Sequence, residues 1–442
     1  MSRTHRLIRM AVLLALTSSS SLLAQEKPPL KLTLQEAVRM ALRQNPEVQI
    51  ANLDVAESLE DRTIARSALL PQASIEASDA VTRRNLEAFF GRRIPGFPQH
   101  IGPFQTFQAG PGFSAPIFDL TLWRQLQASS HNVTGIRAQE LTVRERTALL
   151  VVSQYLGCLR AAAEVQAAQS RVQLALALYD QAVELQKQGI STALDTLRSN
   201  VELQNEKQRL IVAETQRNTS LYGLEQLLNL DPHQSVELGD EGSFFSMPEF
   251  GLEESINSAF ARRPEIKALV AQETAAHLRQ KAAGEERLPR VSVDGNWGYQ
   301  GTSAPASIPA YEFAVTLQVP LFTGGRIHAE TAKAGIELKK IGWQMEETKS
   351  RVALEVKSAV EQLNAARNEV EVANLGVKLA RDEVTDARER FQGGVANNIE
   401  VITAQDALAR ANDNQIAALY RYNQARADLA HATGQIENLY TH

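Results

Sequence analysis

The chain is 442 residues long, 44% hydrophobic and 22% charged, with a formal net charge of -5 and a single cysteine. That balance leaves no basic footprint of the kind nucleic acid requires. One cysteine, Cys158, excludes an intrachain disulfide framework and a cysteine metal cage.

The first residues place Arg3, His5, Arg6 and Arg9 ahead of an apolar stretch that runs through a serine cluster to Leu23. This pattern predicts a secretory leader over residues 1–24. Gln25 follows Leu-Leu-Ala where a lipoprotein would carry cysteine, so no lipid anchor is expected. No later stretch is expected to match a transmembrane helix, which needs roughly 20 apolar residues.

Next comes "LTLQEAVRMALRQNPEVQIA" (32–51), which returns as "FGLEESINSAFARRPEIKAL" (250–269). Leu34 pairs with Leu252, Pro46 with Pro264 and Pro71 with Pro289, each 218 positions apart. Pro116 and Pro320 are only 204 apart, so the first copy carries 14 more residues between its two later prolines. The chain therefore reads as a tandem duplication. The first copy spans 25–250 and the second 251–442.

Each copy then shows alternating apolar and polar residues, the period of a strand. Tyr311, Phe313, Val315, Leu317, Val319 and Leu321 alternate with polar or small residues, as do Val291, Val293, Trp297 and Tyr299. Strands are predicted near 70–83, 104–118, 288–301 and 310–322. "RRNLEAFFGRRIPGFPQHIGPF" reads as a long loop between the first two, holding the extra residues. Trp297 and Tyr299 are candidates for an interfacial aromatic girdle.

Strand gives way to helix at "APIFDLTLWRQL" (115–126) and again at "VPLFTGGRIHAE" (319–330). All 16 prolines lie outside 117–231 and 321–442. Within those tracts Val356, Leu363, Val370, Val377, Val384 and Phe391 recur every seven residues, with Ala359, Ala366, Ala373, Ala380 and Ala387 between them. Val151, Cys158, Val165, Val172 and Tyr179 repeat the pattern, interleaved with Ala161, Ala168, Ala175 and Ala182. A sustained seven-residue period predicts supercoiled helices, and alanine at one seam allows close approach. About 65 residues at 1.5 Å each give roughly 100 Å of helix before the turns at Gly189 and Gly393–Gly394. Helical hairpins are thus predicted over 120–230 and 325–433. Cys158 falls in a seam and reads as a small buried apolar residue.

Four strands cannot close a barrel, and lipid forbids open sheet edges. The missing strands must come from other copies: two chains would give eight and three would give twelve. An exported coiled-coil adaptor is the competing reading, but it has no use for lipid-facing strands placed symmetrically in two copies. No motif supports an enzyme. "TGGR" lacks the Lys-Ser/Thr of a phosphate loop, the histidines show no metal-ligand spacing, and no cofactor or metal site is indicated.

The duplicated order of "LTLQEAVRMALRQNPEV", the Leu-Pro strand openings, "PLFTGG" and the glycine-plus-acid hairpin tips resembles the TolC-like outer-membrane efflux proteins, over everything after the leader. The resemblance implies an α+β membrane protein, a homotrimer whose strands form one 12-stranded outer-membrane β-barrel above a periplasmic α-barrel. A mixed equatorial zone would take in 231–250 and the C-terminal end. It implies a passive exit duct in outer-membrane lipid, opened by a periplasmic adaptor (membrane fusion) protein and an inner-membrane pump of the RND or ABC type. The family's acidic aperture ring falls on Glu400, and its second acidic position on Thr403. The aromatic and arginine of its latch fall on Phe391 and Ala396, which lack the hydroxyl and the charge, and the acidic partner falls on Asp195. The adaptor-docking tips fall on Gly189, Ile190, Gly394 and Val395.

Overall fold

The computed structural model describes residues 29–189, 192–240, 251–392, 395 and 398–441. The expected leader lies outside the described residues. The first copy contains β1 (Leu30–Leu32), α1 (Leu34–Gln44), α2 (Pro46–Ser67), β2 (Gln72–Asn85), the short α3 (Leu86–Phe90), β3 (His100–Phe118), α4 (Leu120–Lys187), α5 (Ala193–Leu227) and β4 (Val236–Leu238). The second contains α6 (Leu252–Arg262), α7 (Pro264–Glu285), β5 (Arg290–Gly301), β6 (Ile308–Gln318), α8 (Arg326–Gln392), α9 (Asn398–Ala432) and α10 (Ile436–Thr441).

Strands β2, β3, β5 and β6 form one antiparallel sheet in that order. Its register is set by the alternation. Val291 faces Leu317, Val293 faces Val315 and Trp297 faces Tyr311, so one face is apolar throughout the second hairpin. Gly295 sits between Phe113 and Phe313 on that face, and a Cβ there would run into both rings. The segment read as a long loop is in part ladder. β2 and β3 stay paired out to Asn85 opposite His100, and α3 and a short connection complete the turn.

The two strand-to-helix corners reach one geometry by different chemistry. Asp119 caps α4, its side chain accepting from the Leu122 N–H at 3.2 Å. In the second copy Gly324 and Gly325 take positive φ, 62° and 83°, and no side chain is needed. Glycine alone tolerates two such residues in succession without strain.

Helices α4 and α8 run 68 and 67 residues without a break. Most of their predicted seam residues are buried, among them Val151, Cys158, Ala161, Val165 and Ala168 in α4, and Val356, Ala359, Leu363, Ala366 and Val370 in α8, while Val172, Tyr179 and Ala373 are half-buried. Burial pushes the Cys158 thiol up to about 12, which keeps it protonated and inert. Contrary to the sequence reading, α4 does contain a window long and apolar enough to cross a membrane. Nearly half of that window is buried inside the protein. Its apolarity is that of a helix surrounded by other helices rather than by lipid.

A belt holds the copies together where the hairpin helices end. β1 and β4 pair in parallel, and Val38, Val151, Tyr155, Leu224, Leu228 and Ile436 share one core. The Tyr155 hydroxyl donates to the Leu32 carbonyl at 2.9 Å and contacts Asp240, which also accepts from the Leu34 N–H.

The alanine seam generates the first prediction. Ala168 is fully buried, so Ala168→Leu forces extra volume into a close helix contact at a cost of about 1–3 kcal/mol. The variant should lose its helical circular dichroism at a lower temperature than the parent after detergent extraction; an unchanged melt would show that the seam is loose there.

Candidate channel wall and hairpin tips

The sheet has two chemically distinct faces. Ile75, Phe113, Tyr311, Phe313, Val315 and Leu317 project from one, all more than a third exposed. Ser74, Glu76, Ser78, Gln108, Ser292, Asp294, Asn296, Glu312 and Thr316 alternate with them on the other. Gly110 and Gly298 meet backbone to backbone on this polar face, and a Cβ on either would strike the other strand. Glycine at such close approaches lets a sheet curl. One face thus suits hydrocarbon and the other water, which is the wall of a pore.

At the first tip Gly189 ends α4 with a φ of 75°. Asp195 is held by Thr192 in a reciprocal cap: its carboxylate accepts from the Thr192 N–H at 3.1 Å and from the hydroxyl at 2.6 Å. At the second tip the Val395 N–H donates to the Arg390 carbonyl and the Val395 side chain is exposed. Glu400, the counterpart of Asp195 in the duplication, lies 3.0 Å from Arg390 on the helix leading into the turn. Thr403 sits one turn on, its hydroxyl donating to the Ile399 carbonyl. Glu400 and Thr403 are exposed on one face of α9, while Val401 and Ala404 point into the hairpin against Val384 and Ala387. Ile190, Gly394 and Ala396 lie outside the described residues, and only the backbone of Phe391 is described, in the last turn of α8.

Between the hairpins, Arg171 of α4 contacts Glu206 of α5 at 3.2 Å and Asp413 of α9 at 3.0 Å. Glu206 is nearly fully buried and also pairs with Arg209. Glu202 ionises less readily than an ordinary carboxyl because it is desolvated and faces Asp406 and Glu206.

The belt contains clamps that sequence reading missed. Asn45 donates to the Leu227 carbonyl at 2.8 Å, closing the end of α5. Arg263, at the same place in the second copy, donates to the His431 carbonyl at the end of α9 and is paired with Glu265 and Glu355. Both precede a proline at a helix start, so the aligned "QNPE" and "RRPE" were the available signal. The final helix α10 had none. Glu145 accepts from the Ile436 N–H at 3.2 Å, Arg144 pairs with Glu437, and Arg39 donates to the Thr441 carbonyl.

The duplication exposes what is missing. α7 packs between α4 and α8, with Ala271 3.6 Å from where a Gly135 Cβ would stand. α2 is its counterpart; Ile50 and Leu53 occupy the positions of Ala268 and Ala271, yet both are exposed, at 59% and 67%. The matching stretch of α8 exposes Ile336 and Trp343. β2 and β6, likewise, are the two open edges of the sheet.

The family model described as "Outer membrane efflux protein" matches residues 37–230 and 255–435. The alkaline protease secretion protein AprF of Pseudomonas aeruginosa is 21% identical over 92% of this chain and 85% of its own. Outer membrane protein TolC of Vibrio cholerae is 20% identical over 91% of both chains. Among solved structures, the outer membrane protein VceC of Vibrio cholerae superposes with a TM-score of 0.78 at 17% identity, covering 91% of this chain and 96% of that one.

Glu145 supplies a pH test of the belt. Burial, with Glu437 beside it, pushes its carboxyl up to about 7 against the lowering effect of the Ile436 N–H. Between the ordinary value of 4.5 and 7 the folded chain holds a proton that the unfolded chain has released, so this group's stability contribution falls as pH rises across that window. Glu145→Gln keeps an acceptor for Ile436 and removes the charge. It should melt above the parent at pH 8 and level with it near pH 5; a parent that is the more stable at pH 8 would refute the assignment.

Proposed function

We infer that this chain, which belongs to the outer membrane efflux protein family, works as one third of a homotrimeric duct. The protein is an outer-membrane channel that extends into the periplasm and serves as the exit duct of an efflux or secretion system. Three copies would complete twelve strands, each β6 pairing with the β2 of the next copy. The long hairpins would continue the lumen as a helical tube. The observation that carries this reading is the set of unmatched faces. Principal contacts joining the first copy to the second inside the chain have exposed counterparts at the chain's flanks. Ile50 and Leu53 stand where Ala268 and Ala271 are covered, and open edges stand where β3 and β5 are paired. A closed ring satisfies all of them with one repeated interface. A coiled-coil adaptor would leave the apolar sheet face without a solvent.

The duct is passive in this reading: it needs a conduit and a gate, not a catalytic group. Its partners are a periplasmic adaptor protein, docking at the hairpin tips around Gly189, Ile190, Gly394 and Val395, and an inner-membrane pump of the RND or ABC type. The closed end is assigned to the tips. Glu400 is exposed there on the same face as Thr403, so three copies would bring three carboxylates into one throat. Such a ring favours cations. Arg390 beside Glu400 tempers its charge, and Asp195 acts first as the cap of α5.

Two outcomes check the reading. Leu53→Cys with Lys339→Cys reproduces between copies the Ala271–Gly135 contact, whose 3.6 Å Cβ spacing suits a disulfide. Oxidation in membranes should yield a covalent species of three chain masses. A ladder stopping at two, or none at all, would refute the threefold ring. Glu400→Ala should raise single-channel conductance or weaken block by multivalent cations; no change in either would remove Glu400 from the throat and leave the ring standing.

A further inference from the structure

β3 last pairs with β5 where Phe107 meets Gly301, and the second strand hairpin turns at Ser303–Ser307. β2 and β3 continue as a two-stranded ladder to Asn85 opposite His100, then close through α3. The helices lie on the periplasmic side, so this projection stands at the cell surface. Its composition is one-sided. Arg83, Arg84, Arg92 and Arg93 are all exposed, and Glu87 is the one acid between Asp79 and Asp119. Phe89, Phe90 and Phe97 are exposed beside them, at 78%, 50% and 62%. The shorter turn of the second hairpin, "TSAPAS", carries no charge. The basic character therefore belongs to this projection and not to channel mouths in general.

The apolar face of the sheet marks where the projection begins. Ile75, Phe113, Trp297, Tyr299 and Tyr311 belong to the apolar band; above them Gln105 donates to both carboxylate oxygens of Asp79, at 2.8 and 2.7 Å. The arginines lie beyond that polar pair in sequence, on the outer side of the apolar band. Arg83 stands 2.8 Å from His100 across the ladder, which anchors its guanidinium to the hairpin. Arginine presents a planar fork of donors that matches phosphate oxygens, and aromatic side chains favour the boundary between hydrocarbon and headgroup.

We propose that this hairpin binds the phosphorylated headgroups of outer-leaflet glycolipid through its arginines. The inference rests on the barrel reading above. The position of the projection on the outer side of the apolar band, with exposed rings flanking the arginines, favours a lipid source of phosphate over a soluble one.

The test uses the full-length oligomer extracted in detergent from the outer membrane, titrated with bisphosphorylated lipid A and with the same lipid stripped of phosphate, and read by native mass spectrometry. Each arginine near an anionic surface contributes about fivefold in affinity. The parent should prefer the phosphorylated lipid at least tenfold, with the preference falling as salt rises. A variant with all four arginines changed to glutamine should lose the preference. Arg92→Gln with Arg93→Gln, outside the ladder, should lose part of it and leave the oligomer mass unchanged. Equal binding of the two lipids by the parent, or an undiminished preference in the fourfold variant, would overturn the proposal. Displacement of the lipid by equimolar inositol hexakisphosphate would overturn the lipid source. Failure to recover any outer-membrane oligomer would instead count against the barrel.

Discussion

An amide group inside hydrocarbon has no water to bond, so a sheet placed there cannot keep an edge. This chain contributes four strands and leaves two edges, one at β2 and one at β6. Much else follows from that shortage. The strands alternate because one side meets lipid and the other water. The two halves of the chain repeat one another because equivalent edges must accept equivalent neighbours. The glycines at 110, 298 and 295 permit the curl and the ring packing that a closed wall demands.

Below the sheet the constraint is different. Water is present, and the helices must hold a tube open without a solid core. Alanine and valine seams do this by letting helices touch closely along one narrow line each, as Ala161, Val165 and Ala168 do in α4. Any one seam contact contributes little, and the length of 68 residues supplies their number. The hairpin interior near the tips is small, with Val384, Ala387, Val401 and Ala404 as its buried cluster. The belt, where α1, α4, α5 and α10 converge, is the broad core against which the long arms are braced.

Much of the architecture was legible because it is periodic. A seven-residue repeat and a two-residue alternation each report one buried or lipid-facing side, whatever lies far away in sequence. The duplicate prolines at 46 and 264 announced the tandem order. What was not legible depended on singular long-range contacts. The bonds of Glu145 to Ile436 and of Arg39 to Thr441 cross 291 and 402 positions and leave no pattern. The outer ladder was hidden because "TRRN" (82–85) lacks alternation; it is extended by pairing with β3, not by burial. The cap at Thr192 was readable in principle, since Thr-x-x-Asp before a helix is a recognised start signal.

The belt also bears on the order of events during biogenesis. Its core closes only when Ile436 and Tyr440 reach the same cluster as Leu32 and Val38. Residues near 440 thus complete a structure begun near 30. A chain emerging from an export channel in sequence can form its helices and hairpins early, but it cannot seal this junction until residues near 440 have emerged. The apolar strands of both copies have by then been delivered, so the brace between tube and wall is set after them, when all four strands are available for insertion.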